Sequence, residues 1–242
     1  MALKILNNID HKDLKIDVRP GRRYGDYANR VAVLSTEYSD LHKQFPIVIY
    51  KNGESKQLAS HAILGFEKDE NLFIENNEWQ TQYVPAMLAR GPFSIGYRRR
   101  EQDGKESTET LIMVDEDDPR CAVHEGEAPF LEFGGESPYL QYIKKVLKAI
   151  EVGQQVDKVF FSLLQELDLL EPVSIRITLT AEQAVNFQGY HTISRDRLAK
   201  LDGYSLQKLN DAGVLGLVFF AISSLDNFEK MIALKNARAA SS

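Results

Sequence analysis

The sequence predicts an α+β fold, with a β-rich N-terminal half whose hairpins pack against a central helix pair and C-terminal helices. Three patterns carry that expectation. Leu140, Ile143, Leu147 and Ile150, and after Gly153 the residues Val156, Val159, Phe160, Leu163, Leu164 and Leu167, recur at three- and four-residue steps, as on a helix that buries one stripe. Asn52-Gly53 and Asp103-Gly104 each separate two strand-like runs with residues that tolerate the positive φ of a tight hairpin turn. Ile175, Ile177 and Leu179 alternate with Arg176, Thr178 and Thr180, the period of a strand with one wet face.

In chain order, Leu14, Ile16 and Val18 suggest a short strand before the Pro20-Gly21 turn, and Val31–Leu34 a second one. Ser35 is placed to cap a helix over 36–44, which Pro46 ends. Ile47–Lys51 and 57–66 form the first hairpin, followed by a strand over 71–75, a loop through Asn76-Asn77, and a helix near 85–89 that Gly91-Pro92 terminates. Residues 94–100 and 108–114 form the second hairpin, and an acidic, irregular passage leads to Gly134-Gly135. Ser137 and Pro138 then open the central helices, because proline at the first helical position gives up an N–H that has no intrahelical partner. Beyond the alternating strand, Val185, Phe187, His191 and Ile193 read as its partner. Ser194 caps a short helix through Leu201, Ser205 opens another that Gly213 stops, and a final helix starts near Leu215 with Val218, Leu225, Phe228 and Ile232 on one side.

At 242 residues the chain is long enough for a full core, and the expectation is one domain with its β-rich part over about 1–135 and its helical α+β part over about 136–242. A net charge of −6 provides no positive field for nucleic acid or anionic lipid. No run approaches the roughly 18 apolar residues of a membrane span, so the protein is expected to be cytoplasmic and not inserted in a membrane. Cys121 stands alone and excludes an intrachain disulfide.

The most site-like stretch runs from Trp79 to Phe93, where Trp79, Tyr83, Arg90 and Phe93 flank a short proline-started helix. Aromatic and arginine side chains are the usual anchors of a contact surface, and they are equally the usual contents of a core, so both readings stand. Asp115 and Glu116, in the run Asp115-Glu116-Asp117-Asp118, join the candidate binding residues; that run is either a solvated loop or a set of oxygen ligands without EF-hand spacing. His11, His42, His61, His124 and His191 are scattered, with no zinc-ligand spacing, and no nucleophile motif of the G-x-S-x-G kind is present. Arg98-Arg99-Arg100 reads as a solubilising strand edge. No residue is assigned a catalytic or metal-binding role, and no cofactor is implied.

A set of short motifs spread over most of the chain resembles the SapC family of bacteria, named after a gene associated with a paracrystalline surface layer. In the first half they are Phe45-Pro46-Ile47-Val48, Leu64-Gly65-Phe66 with Asn71-Leu72-Phe73, Trp79 before Tyr83-Val84-Pro85-Ala86, and Arg90-Gly91-Pro92-Phe93. Asp115-Glu116, Ser137-Pro138, Leu169-Leu170-Glu171-Pro172, Gly189-Tyr190, Leu198 with Leu201, and Leu225-Asp226-Asn227-Phe228 complete the set. The resemblance implies no established activity. It implies a gene neighbourhood of TonB-dependent outer-membrane receptors, tryptophan-halogenase-like flavoproteins and cupin-like oxygenases. Two functions follow as expectations: a non-enzymatic adaptor that binds a protein or peptide linked to receptor uptake or protein modification, or a component of a metal- or cosubstrate-dependent modifying system or of the surface layer.

Overall fold

A computed structural model describes residues 3–55, 57–102, 105–122, 124–178 and 184–241, with the backbone alone at 100–102, 105–106, 174–178, 184–187 and 241. The fold is α+β, built on antiparallel sheets. Contacts divide the chain into two compact units, Met1–Asp26 with Ala86–Glu151 and Tyr27–Pro85 with Val152–Ser242.

The first unit holds a three-stranded sheet in the order β1-β8-β7, from β1 (Leu3–Ile5), β7 (Phe93–Gln102) and β8 (Lys105–Asp115). The long hairpin pairs from Phe93↔Val114 to Gln102↔Lys105, as the sequence predicts; its turn residues Asp103 and Gly104 lie outside the described residues. Arg98 faces Glu109 across the strands at 3.1 Å. The strand expected around Ile16 is a single bridge to Glu127. Gly126 explains how close that bridge comes, since a Cβ there would lie 2.4 Å from the Ile16 carbonyl oxygen.

The second unit is a five-stranded sheet in the order β2-β4-β3-β10-β9, from β2 (Arg30–Val33), β3 (Ile47–Lys51), β4 (Leu58–Ile63), β9 (Leu170–Thr178) and β10 (Ala184–Ile193). Strand β3 is central, so Ile47, Val48 and Ile49 are all buried and do not alternate. The β9–β10 pairing is the predicted one, while Leu179 and Thr180 lie outside the described residues. Helices α1 (Tyr38–Leu41) and α6 (Leu215–Ser224) pack together, and α6 also packs on β3 and β10. Tyr38 is fully buried, edge-on to Phe160 at 5.8 Å.

The expected central helix pair is one helix, α3 (Pro138–Glu166). Glycine costs about 1 kcal/mol in a helix interior but does not break one without a cap or proline. Gly153 is buried, and a Cβ there would lie 2.8 Å from Leu34 Cβ and 2.8 Å from Thr36 Oγ1, so its role is close approach. The stripe therefore continues through Gly153 and Asp157 to Phe160 and Leu164, leaving Val159 exposed.

The helix expected over 36–44 is the single turn α1, the strand expected over 71–75 is only Ile74–Glu75, and side chains explain further differences from expectation. The Asn52-Gly53 hairpin forms, but Gly53 does not have positive φ; the Asn52 side chain holds the loop by accepting the Glu54 and Ser55 N–H groups at 2.9 Å. Asp202, not Ser205, caps α5 (Gly203–Asp211), accepting the Ser205 N–H at 2.8 Å. The final helix is two, α6 and α7 (Asn227–Ser241), because buried polar side chains fix the break. Asn227 Nδ2 donates to His42 O at 2.7 Å and Phe45 O at 3.2 Å, and Ser224 Oγ accepts the Ile47 N–H at 3.0 Å.

Candidate functional site

The boundary between the units falls at Pro85/Ala86, inside the stretch singled out from the sequence. Trp79 and Tyr83 belong to the second unit, and Arg90, Phe93, Asp115 and Glu116 to the first.

In the first unit the predicted residues serve the fold. Arg90 follows the short helix α2 (Ala86–Ala89) and its Nη1 donates to Phe93 O at 2.7 Å. Burial lowers the pKa of Arg90, and the Arg120 charge adds to that shift. Phe93 has no exposed surface and packs on Tyr139 with ring centres 6.1 Å apart, so it offers nothing to a partner. Asp115 N–H donates to Pro92 O at 3.0 Å, and Asp115 O accepts from Cys121 Sγ at 3.5 Å. Glu116 lies 2.6 Å from Lys4, whose hydrogen bond and charge hold its carboxyl below the ordinary value. Asp118 caps the turn Pro119–Cys121 by accepting the Arg120 N–H at 2.8 Å. Burial, with nearby carboxylates, pushes the Cys121 thiol up to about 11, so it is protonated at neutral pH. Among the described residues, no group of three or more His, Cys, Asp or Glu is placed to hold a metal ion.

In the second unit, Asn76 and Asn77 have φ of 52° and 59°, which turns β5 (Ile74–Glu75) directly into β6 (Glu78–Trp79). Two successive left-handed residues match the twist of a tight hairpin, and asparagine bears that conformation better than most side chains. Trp79 thus pairs with Ile74, half-buried. Tyr83 Oη donates to Glu37 Oε1 at 2.9 Å, while Glu37 Oε2 accepts the Leu34 N–H at 2.9 Å. Tyr83 is a strut.

Beside this hairpin is an open groove of about 1020 Å³. Leu72, Phe73, Ile74 and Glu75 line it from the hairpin side, with Gln80 and Thr81. Helix α7 contributes Lys230, Ala233, Leu234, Ala237 and Arg238, and Lys43 and Gln44 complete the lining. Arg238 fixes the wall by donating to Asn71 O, Leu72 O and Ile74 O at 3.3, 2.8 and 2.9 Å. Lys230 Nζ donates to Asn227 Oδ1 at 2.8 Å and Lys43 O at 3.4 Å, and Lys43 Nζ is 3.0 Å from Asp40. Leu234 remains 39% exposed, a large apolar side chain presented to solvent. From the sequence, Phe228 and Ile232 of α7 are read as part of a final helix, and no residue of α7 is singled out as a site. The available signal was the four-residue spacing of Lys230, Leu234 and Arg238, which puts all three on one helix face.

The sequence matches the SapC family over residues 6–231. The chain belongs to the SapC family. No curated protein and no solved structure matches it. Several residues that carry the SapC resemblance have structural reasons to be there. A Cβ at Gly65 would lie 2.3 Å from the Glu70 main-chain oxygen, and buried Asn71 accepts the Phe73 N–H at 2.9 Å through Oδ1. Asn227 ties the start of α7 to the loop before β3. The SapC segment Asn71-Leu72-Phe73 also forms part of the groove wall, so one family motif is both scaffold and candidate surface.

Proposed function

We propose that this SapC-family chain is a non-enzymatic binding or adaptor protein that takes a protein or peptide partner, of the kind linked to outer-membrane receptor uptake or protein modification, in the groove between the β5–β6 hairpin and α7. The observation that carries this reading is that the groove combines exposed aliphatic surface at Leu234 with the cations Lys230 and Arg238. Apolar surface supplies association energy and fixed polar groups supply orientation, which is how peptide-binding clefts work.

The test is a photoreactive phenylalanine analogue at position 234 in the producing cells, with the same analogue at the exposed Tyr204 of α5 as control. A defined partner crosslinked at 234 and not at 204 supports the reading. Identical or empty crosslinking at both positions overturns it.

A further inference from the structure

We infer that Arg30, Tyr50, His61 and Tyr190, on one face of the five-stranded sheet, form a binding site for a small aromatic carboxylate. None of the four lines the groove beside α7, so the site does not rest on the adaptor reading. The strand register brings them together. Arg30 on β2 pairs with Ile63, two residues from His61 on β4, while Tyr50 on β3 pairs with Ala59 and with Tyr190 on β10. Residues two apart share a face, so one face carries all four side chains; the other turns Ser60 to the buried Tyr38 hydroxyl.

The four side chains close into a ring. Arg30 Nη1 donates to Tyr190 Oη at 2.7 Å, reaching over β4 and β3, which lie between their strands. The Tyr50 ring stands 5.8 Å from His61 and 6.2 Å from Tyr190, with planes at 83° and 61°. Tyr50 is 40% exposed and Arg30 is exposed. Ala32, opposite His61 on β2, is small and exposed, which leaves the face low on that side. A flat ring laid there meets an aromatic side chain already held in place by its neighbours.

The polar groups define the rest of the ligand. Tyr190 orients the Arg30 guanidinium without neutralising it, and among the described residues Arg30 has no carboxylate partner. A guanidinium matches a planar carboxylate with two parallel N–H groups. His61 is half-buried, and its Nδ1 is buried with no hydrogen-bond partner. Burial, and after it the Arg30 charge, lowers the His61 pKa, so the ring is neutral at neutral pH and carries one N–H. An N–H at Nδ1 would have no acceptor, which puts the proton on Nε2 and leaves that nitrogen to donate to a ligand. One carboxylate beside Arg30 would accept from both groups.

The probe is benzoate, with cyclohexanecarboxylate as a charged control that is not flat and benzyl alcohol as a flat control without charge. Binding to the full chain is read from the histidine ring resonances in proton–carbon NMR spectra, with those of His61 assigned by their loss in His61→Gln. Benzoate should shift the His61 resonances, leave those of His11, His42, His124 and His191 in place, and bind about fivefold tighter or more than either control. It should also raise the His61 pKa, because an adjacent anion favours the imidazolium. Arg30→Gln should abolish the shift. Tyr50→Leu should weaken binding about fivefold or more while Tyr50→Phe retains it, a contrast that a general loss of fold would not produce. Equal binding of benzoate and either control, binding that survives Arg30→Gln, equal movement of all five histidines, or no shift at His61 overturns the inference.

Discussion

Arg120 Nη2 donates to Asp26 Oδ1 at 2.8 Å, between residues 94 positions apart in the chain and both nearly buried. The same nitrogen reaches Tyr24 O at 3.2 Å, the guanidinium lies 4.7 Å over the Tyr24 ring, and Asp26 Oδ2 accepts the Gly21 N–H at 2.8 Å. Burial raises the Asp26 pKa, while Gly21 and Arg120 oppose that rise. Removing one partner strands a buried charge, so Arg120→Met should cost about 3 kcal/mol. Urea unfolding measures it. Adding Asp26→Asn to Arg120→Met should recover much of the loss, and strictly additive costs would show that the pair is not coupled.

Asp17 should make the first unit acid-sensitive. Its carboxylate accepts from Arg19 Nε at 3.0 Å and Tyr24 Oη at 2.9 Å, and the Arg19 bond leads in lowering its pKa to about 2. A folded pKa below the unfolded one gives stability that is present above about pH 4 and lost as pH falls toward 2. Arg19 is largely exposed, so water screens the pair and the contribution should not exceed about 1 kcal/mol. Melting temperature followed from pH 5 to pH 2 should fall less steeply in Asp17→Asn than in the parent chain.

These two networks mark where sequence reading stops. Hairpins, the alternating strand and the helix after Ser137-Pro138 were legible because their signals lie within a few residues of one another. Arg120 and Asp26 were not, since nothing local to Arg120 announces a carboxylate so far along the chain. Gly153 was misread for the same reason: its purpose is the approach of Leu34 and Thr36, a contact absent from the helix's own pattern. Asp157 completes that contact by accepting the Ser35 N–H at 2.8 Å, which explains a carboxylate on the buried stripe. In the Trp79–Phe93 stretch, Phe93 is core and Arg90 a main-chain clamp, which their residue types alone do not announce. Exposure, which separates contact from core, is a property of the whole fold.

Gly153→Ala should reverse the usual rule. In an exposed helix interior the change stabilises by about 1 kcal/mol. Here the new methyl would sit 2.7 Å from Leu34 Cδ1 and 2.8 Å from Leu34 Cβ, and the second atom cannot swing away. Overpacking of this kind costs about 1–3 kcal/mol, so the net sign should be destabilising. Combining it with Leu34→Ala should restore part of the loss; a melting point raised by Gly153→Ala alone would show that the contact is slack.

Arg238 and Lys230 lie on one face of α7, and substitution should separate them. Arg238 holds three carbonyls of the segment leading into β5, so Arg238→Gln should cost about 1.5–3 kcal/mol and shift Trp79 emission as the hairpin loosens. Lys230 is exposed and bonds only neutral oxygens through its described contacts, so Lys230→Gln should change stability by less than about 0.5 kcal/mol. Urea unfolding of the two variants, monitored at Trp79, checks the contrast. If Lys230→Gln proved as costly as Arg238→Gln, both cations would belong to the scaffold, and the exposed Lys230 would no longer count as groove surface offered to a partner.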